Sequence, residues 1–137
     1  MNIQTINEDL FSELLSQASQ SERKRVAFDL RTTPEDTSQR ILNAMQPGTV
    51  VPIHRHDDTS ETCICIKGKL DVVFYEELPN MDAGGPGRDF KEILRVALNP
   101  SEGEYGVQIP MNFWHSVEVK EESVIFEGKD GPYKPRV

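Results

Sequence analysis

The chain contains three histidines, His54, His56 and His115, and their positions relative to one glutamate carry most of its chemistry. His54 and His56 stand two residues apart in Val51-Pro52-Ile53-His54-Arg55-His56. On an extended strand, side chains two apart face the same side, so both imidazoles can converge on one point. Asp57-Asp58-Thr59-Ser60 is turn-forming, and a reversal there returns Glu61 to the histidines. Two nitrogen donors and one carboxylate oxygen suit a divalent transition metal and resemble the two-histidine, one-carboxylate arrangement that leaves coordination positions open. His115 follows Pro110-Met111-Asn112-Phe113-Trp114, near the start of a strand. In a closed barrel that strand can lie across from the first pair, which makes the expected ligand set His54, His56, Glu61 and His115. An octahedral ion held by these four keeps positions for water or substrate. One divalent transition metal ion is expected, and Fe, Mn, Ni and Zn all fit the spacing.

Those residues need a scaffold that brings distant segments together. Leu10, Phe11, Leu14, Leu15 and Ala18 recur at helical spacing and predict one amphipathic helix ending at Ser19-Gln20-Ser21. Its start is either a capping box over Thr5-Ile6-Asn7-Glu8 or an N-cap at Asn7. From Val26 onward short apolar runs alternate with turn residues. Strands are predicted over 26–30, 40–45, 92–98 and 106–109, with a loop over 32–37 and a break at Pro47-Gly48. Residues 61–66 and 70–75 read as a hairpin turning at Lys67-Gly68, and 114–119 and 123–127 as a second pair joined at Lys120-Glu121-Glu122. Residues 80–88, with Gly84-Gly85-Pro86-Gly87, read as a surface loop. Many short strands with regular turns predict an all-β sandwich or barrel.

The 137 residues suffice for one domain, divided here into an N-terminal helical segment, 1–22, and a barrel, 23–137. A formal net charge of −8 argues against nucleic acid, which needs a basic stripe, and against an anionic membrane surface. No apolar run is long enough for a membrane span, and Met1-Asn2-Ile3-Gln4 has no secretory character. The two cysteines, Cys63 and Cys65, are too close along one strand face for a good mutual disulfide, so a reduced, cytoplasmic setting is expected.

Gly48, five residues, His54-x-His56, four residues, Glu61, six residues, Gly68 resembles the first cupin motif at every position. Pro110-Met111-Asn112-Phe113-Trp114-His115 resembles the second, with Asn112 where that family usually has Gly and Val119 where it often has Asn. Gly103 and Gly106 bracket the place of its upstream glycine. Asn tolerates the left-handed backbone that the turn needs. The resemblance implies a single cupin barrel, a double-stranded β-helix or jelly roll, with a short N-terminal helix. Arg23-Lys24-Arg25, the first motif, Trp114-His115 and the ending Val124-Ile125-Phe126-Glu127-Gly128-Lys129-Asp130-Gly131-Pro132-Tyr133 are similar to the WbuC-like cupin metalloproteins. That similarity implies a bacterial protein of surface-polysaccharide (O-antigen or capsule, lipopolysaccharide biosynthesis) metabolism and a small, sugar-derived ligand. Cupins commonly pair through edge strands, so a homodimer is expected.

Around the metal, Cys63 shares the inward face of Glu61 and is either a pocket-wall thiol or a small buried apolar residue. Phe113 is a candidate for the mouth and Trp114 points away from it. Arg55, between two ligands, points to the opposite face and serves packing or a subunit contact. Glu127 and Tyr133 are candidates for acid–base or hydrogen-bonding roles. Four readings remain open: a metal-dependent isomerase or epimerase, an iron-dependent dioxygenase, a non-catalytic metal-dependent small-molecule binding or sensor protein, and a purely structural metal site, which the open ligand set disfavours.

Overall fold

The computed structural model describes residues 3–79 and 89–132. The predicted loop over 80–88 and Tyr133 lie outside these. Helix α1 (Glu8–Gln20) is followed by strands β1 (Arg25–Asp29), β2 (Ser38–Met45), β3 (Glu61–Leu78), β4 (Asp89–Leu98), a short 3-10 turn (Pro100–Glu102), β5 (Gly106–Ile109) and β6 (Trp114–Asp130). At the helix start Asn7 is the cap: its Oδ1 accepts from the Leu10 N–H at 3.0 Å.

All strand pairs are antiparallel, in the order β1-β2-β6-β3-β4, with β5 on the outer side of β3. β3 and β6 pair along almost their whole lengths and belong to two sheet halves at once. The first half of β3 and the second half of β6 lie with β5, β2 and β1; their other halves lie with β4. Folding these halves face to face closes the cupin-like barrel expected from the sequence.

Two expected hairpins are replaced by these two long strands. Lys67-Gly68 is a bulge inside β3, and Lys120-Glu121-Glu122 is part of continuous β6, with the register shifting between Cys65 and Leu70. Gly68 has φ +100°, and a Cβ there would lie 2.3 Å from the Glu122 carbonyl oxygen and from Ser123 Oγ. The fully buried Ser123 hydroxyl accepts from the Lys69 N–H at 3.0 Å and donates to the Glu121 carbonyl at 2.8 Å. A positive-φ glycine serves a tight turn and a bulge equally well, and here it is the cross-strand approach that needs it.

The alternation of each strand divides its residues between two cores. Met45, Cys63, Cys65, Leu70, Val72, Phe74, Leu98, Ile109, Val119 and Ile125 fill the space between the two halves. Leu42, Ala44 and Val124, one residue off that register, face outward and are covered by Phe11, Leu14, Leu15 and Ala18 of α1. Burying each of those larger helix side chains contributes on the order of 1.5–3 kcal/mol, which holds α1 on the barrel.

Candidate metal centre

His54 and His115 are joined through their backbones. The His54 N–H donates to the His115 carbonyl at 3.0 Å and the His115 N–H to the His54 carbonyl at 2.8 Å. This two-residue bridge fastens segment 51–60 to the start of β6, and His54 therefore sits on an extended bridge rather than a full strand. His56 is tied one step further along, its carbonyl accepting from the Asn112 N–H at 2.8 Å. That contact depends on Asn112, which has φ +70° and takes the left-handed turn that glycine would otherwise supply.

The rings are aimed as well as placed. Nδ1 of His54 lies 2.9 Å from the Pro52 carbonyl, and Nδ1 of His115 lies 2.9 Å from the Phe113 carbonyl. A carbonyl only accepts, so these contacts put the proton on Nδ1 and leave Nε2 as a lone pair. One ring nitrogen from each of His54, His56 and His115 lies within 4.8 Å of the others. Burial disfavours the charged His115 imidazole and holds its pKa below the ordinary 6.5, keeping it in the ligand form.

Glu61, the first residue of β3, faces inward and is 2% exposed. Its Oε2 lies 3.0 Å from Nε2 of His56 and 3.8 Å from Nε2 of His115. That oxygen is buried and has no hydrogen-bond partner. The Lys129 ammonium lies 3.3 Å from Nε2 of His56, which leaves Oε2 of Glu61 as the unsatisfied buried acceptor, and such an acceptor is costly. A divalent cation satisfies it, so the donor chemistry of His54, His56, His115 and Glu61 fits the ion expected from the sequence. The three histidines form the mutual cluster, and Glu61 adjoins it through His56 and His115.

A cavity of about 40 Å³ adjoins these residues, bordered by His54, Glu61, His115, Cys63, Glu127 and Asn43, among others. It has room for an ion's solvent or for the end of a ligand. Cys63 lines this cavity and is also 2% exposed, so both of its expected roles coincide. Burial, with Glu127 and Glu61 nearby, pushes its thiol pKa upward. The Glu127 carboxyl accepts a hydrogen bond from the Asn43 side-chain amide. Its pKa is pushed up to about 8, first by burial and then by the neighbouring Glu61 carboxylate. Phe113 is not among the cavity residues; its ring is 44% exposed and meets Phe74 edge-on. Trp114 packs against Phe90, and the Arg55 guanidinium lies 4.5 Å above its ring, which is the packing role expected of Arg55.

Three residues at the site, Asn43, Arg25 and Lys129, are not among the site residues expected from the sequence, although the last two fall in the segments that carry the family resemblance. Asn43 and Arg25 line the cavity, and Lys129 Nζ lies 3.3 Å from Nε2 of His56. Asn43 and Met45 share the inner face of β2, so a polar residue in that alternation was the available signal. Lys129 lies two residues beyond Glu127 on the same face of β6. Among the described residues no helix is long and apolar enough to cross a membrane.

A family profile described as "Domain of unknown function (DUF6016)" matches residues 6–83. No curated protein matches the chain. Solved structures resemble it at low identity, which bears on the fold alone. A cupin-2 domain containing protein from Shewanella frigidimarina is 20% identical over 77% of this chain and 79% of that one, with TM-score 0.51. The capsular polysaccharide assembling protein CapF from Staphylococcus aureus is 18% identical over 80% of this chain, TM-score 0.51. Bacillus subtilis oxalate decarboxylase, a protein with Mn(II) centres, is 18% identical over 82% of this chain, TM-score 0.52. The chain spans 27% of the CapF chain and 27% of the decarboxylase chain. These neighbours and the closed antiparallel barrel identify the fold as a cupin.

Proposed function

The chain belongs to the family described as a domain of unknown function (DUF6016), and from that premise we propose that it is a mononuclear metal-binding cupin acting on or holding a small, carbohydrate-derived molecule. The observation that carries this reading is the buried, unpartnered Oε2 of Glu61 beside the Nε2 atoms of His56 and His115. His54, His56, Glu61 and His115 are the residues that would hold the ion, and a bound divalent ion supplies Lewis acidity toward a carbonyl or hydroxyl oxygen.

The chain's own groups complete the site. Asn43 donates a hydrogen bond to the Glu127 carboxyl at the cavity wall, and burial, ahead of the neighbouring Glu61, pushes the pKa of that carboxyl upward. It is the side chain best placed to give a proton to, or hydrogen-bond, a ligand oxygen. Cys63, Val72, Val117, Ile109 and Ile125 close the apolar side of the cavity and limit water. The cavity admits only a few heavy atoms, so a sugar would present one end, with two adjacent oxygens, to the centre.

Within this reading we assign the chain to the WbuC-like cupins of bacterial surface-polysaccharide metabolism, working in the cytoplasm as a homodimer. Support comes from the motif-bearing residues, from the ending 124–133, and from fold likeness to a capsular polysaccharide assembling protein. The narrow cavity also favours a second reading, a binding or sensor protein without turnover.

The test is elemental analysis of protein produced in Fe-, Mn-, Ni- and Zn-supplemented media, followed by turnover and binding assays with simple sugars, sugar nucleotides and keto acids. About one ion per chain is expected, lost in His54→Ala and Glu61→Ala while the β-sheet circular dichroism is kept. Wild-type protein without stoichiometric metal under all four conditions overturns the proposal. Tight binding with no conversion selects the sensor reading.

A further inference from the structure

Lys129 stands directly opposite Glu61 across the β3–β6 ladder and opposite Gln39 across β2–β6. Its Nζ lies 3.3 Å from Nε2 of His56. The side chain is part-buried, and among the described residues no carboxylate pairs with it. Glu127 lies within electrostatic range, but a partly desolvated ammonium with no direct ion pair is incompletely compensated. It becomes more so when the neighbouring imidazole nitrogen carries a cation, the point at which the argument rests on the metal reading above.

The same lysine borders a second, open depression of about 370 Å³, far roomier than the central cavity. Its walls carry hydroxyls and amides, from Ser38, Gln39, Thr59, Ser60, Thr62 and Gln108, together with the charged Arg40 and Asp130. Gln39 is only 5% exposed. Its Nε2 donates to the carbonyls of Gly131 and Pro132 at 3.3 and 3.2 Å, which fixes the amide, yet its Oε1 is buried without a partner. The depression thus presents the Lys129 ammonium, which has no direct ion pair among the described residues, beside Arg40 and one carboxylate, Asp130, on walls otherwise rich in hydroxyls and amides. It does so on a chain whose net charge of −8 would otherwise repel anions.

We propose that Lys129 is the anion anchor of the site and that the ligand is a sugar acid, with its carboxylate on Lys129 and its hydroxyls along the Ser38–Gln108 depression. A neutral sugar of the same size leaves the ammonium unpaired. A charge-assisted hydrogen bond is worth about 1.5–3 kcal/mol, which corresponds to a preference of roughly tenfold or more for the acid.

The experiment loads the full chain with Mn(II), measures bound Mn, and titrates D-gluconate and D-sorbitol by calorimetry, following the Mn(II) electron paramagnetic resonance signal in parallel. The wild type is expected to bind gluconate roughly tenfold or more tightly than sorbitol. Lys129→Met and Lys129→Gln should lose that preference yet hold Mn(II) at least as tightly, because a like charge has been removed beside His56. Lys129→Arg should retain the preference. Equal binding of the two polyols by wild type, unchanged gluconate affinity in both neutral variants, or loss of Mn(II) in both of them overturns the assignment while the wild-type metal centre stands. A wild type that takes up no Mn(II), Fe, Ni or Zn overturns the metal reading, and the anchor with it.

Discussion

His54 and His115 exchange both backbone hydrogen bonds, at 3.0 and 2.8 Å, and set their rings at a 53° tilt with centroids 4.3 Å apart. The candidate metal centre is thereby assembled by a β-bridge, so the positions of these two histidines are set by main chain. Removing one imidazole should cost the ion while sparing the fold. We expect His115→Ala to lose stoichiometric metal while keeping its sheet signal in circular dichroism. Chelation should lower the Tm of wild type, because an ion bound only by the native state stabilises it, and should leave the Tm of His115→Ala unchanged. A variant that still responds to chelator would place the ion elsewhere.

Gly68→Ala should destabilise strongly, by about 2 kcal/mol or more, since a Cβ there meets the Glu122 carbonyl oxygen at 2.3 Å and the residue is held at φ +100°. Gly103→Ala is the control. Its φ is +83°, but nothing lies within 4 Å of the added carbon, so only backbone strain of about 1 kcal/mol is incurred. Urea melts of the two variants should separate clearly. Equal losses would mean that the close approach of β3 and β6 is not tight in solution.

That pair of glycines also shows where sequence reasoning reached its limit. The helix was legible because Leu10, Phe11, Leu14, Leu15 and Ala18 form a local stripe and Asn7 caps it locally. The breaks at Lys67-Gly68 and Lys120-Glu121-Glu122 were visible too, but not their meaning. A hairpin turn and a bulge use the same glycine, and only the long-range pairing of Lys69 with Glu121 distinguishes them. The grouping of His54, His56 and Glu61 follows from spacing and turn chemistry, whereas adding His115 needs the expectation of a closed barrel. Asn43, Arg25 and Lys129 do not follow, because an isolated polar residue declares its role only once strand register fixes which face it occupies.

Ile64 and Ile66 lie on the outer face of β3 and are 37% and 39% exposed, while Tyr105, whose carbonyl accepts from the Cys65 N–H, is 60% exposed. Helix α1 covers Leu42, Ala44 and Val124 but leaves these three side chains partly uncovered. If the homodimer uses this face, the double substitution Ile64→Glu/Ile66→Glu should convert a dimer to a monomer in light scattering, with metal content unchanged. A wild-type monomer, or a variant that stays dimeric, would exclude this surface.

Cys65 supplies a stability test at alkaline pH. Burial pushes its thiol from the ordinary 9.0 up to about 11, and the Cys63 thiol moves in the same direction. The unfolded chain therefore releases these protons at a lower pH than the folded chain does. Their contribution is fully present below pH 9 and is lost as the pH rises through the folded values. Denaturation midpoints should accordingly fall as the pH is taken from 9 toward 11, and fall less steeply in Cys65→Ala. In the native state at pH 8 both thiols should resist a thiol-specific reagent, because neither the thiolate nor access to it is available, and both should react once urea unfolds the barrel. Rapid modification of the native protein would mean that the inner face of β3 opens far more readily than its packing against Ile125, Val72 and Leu70 implies.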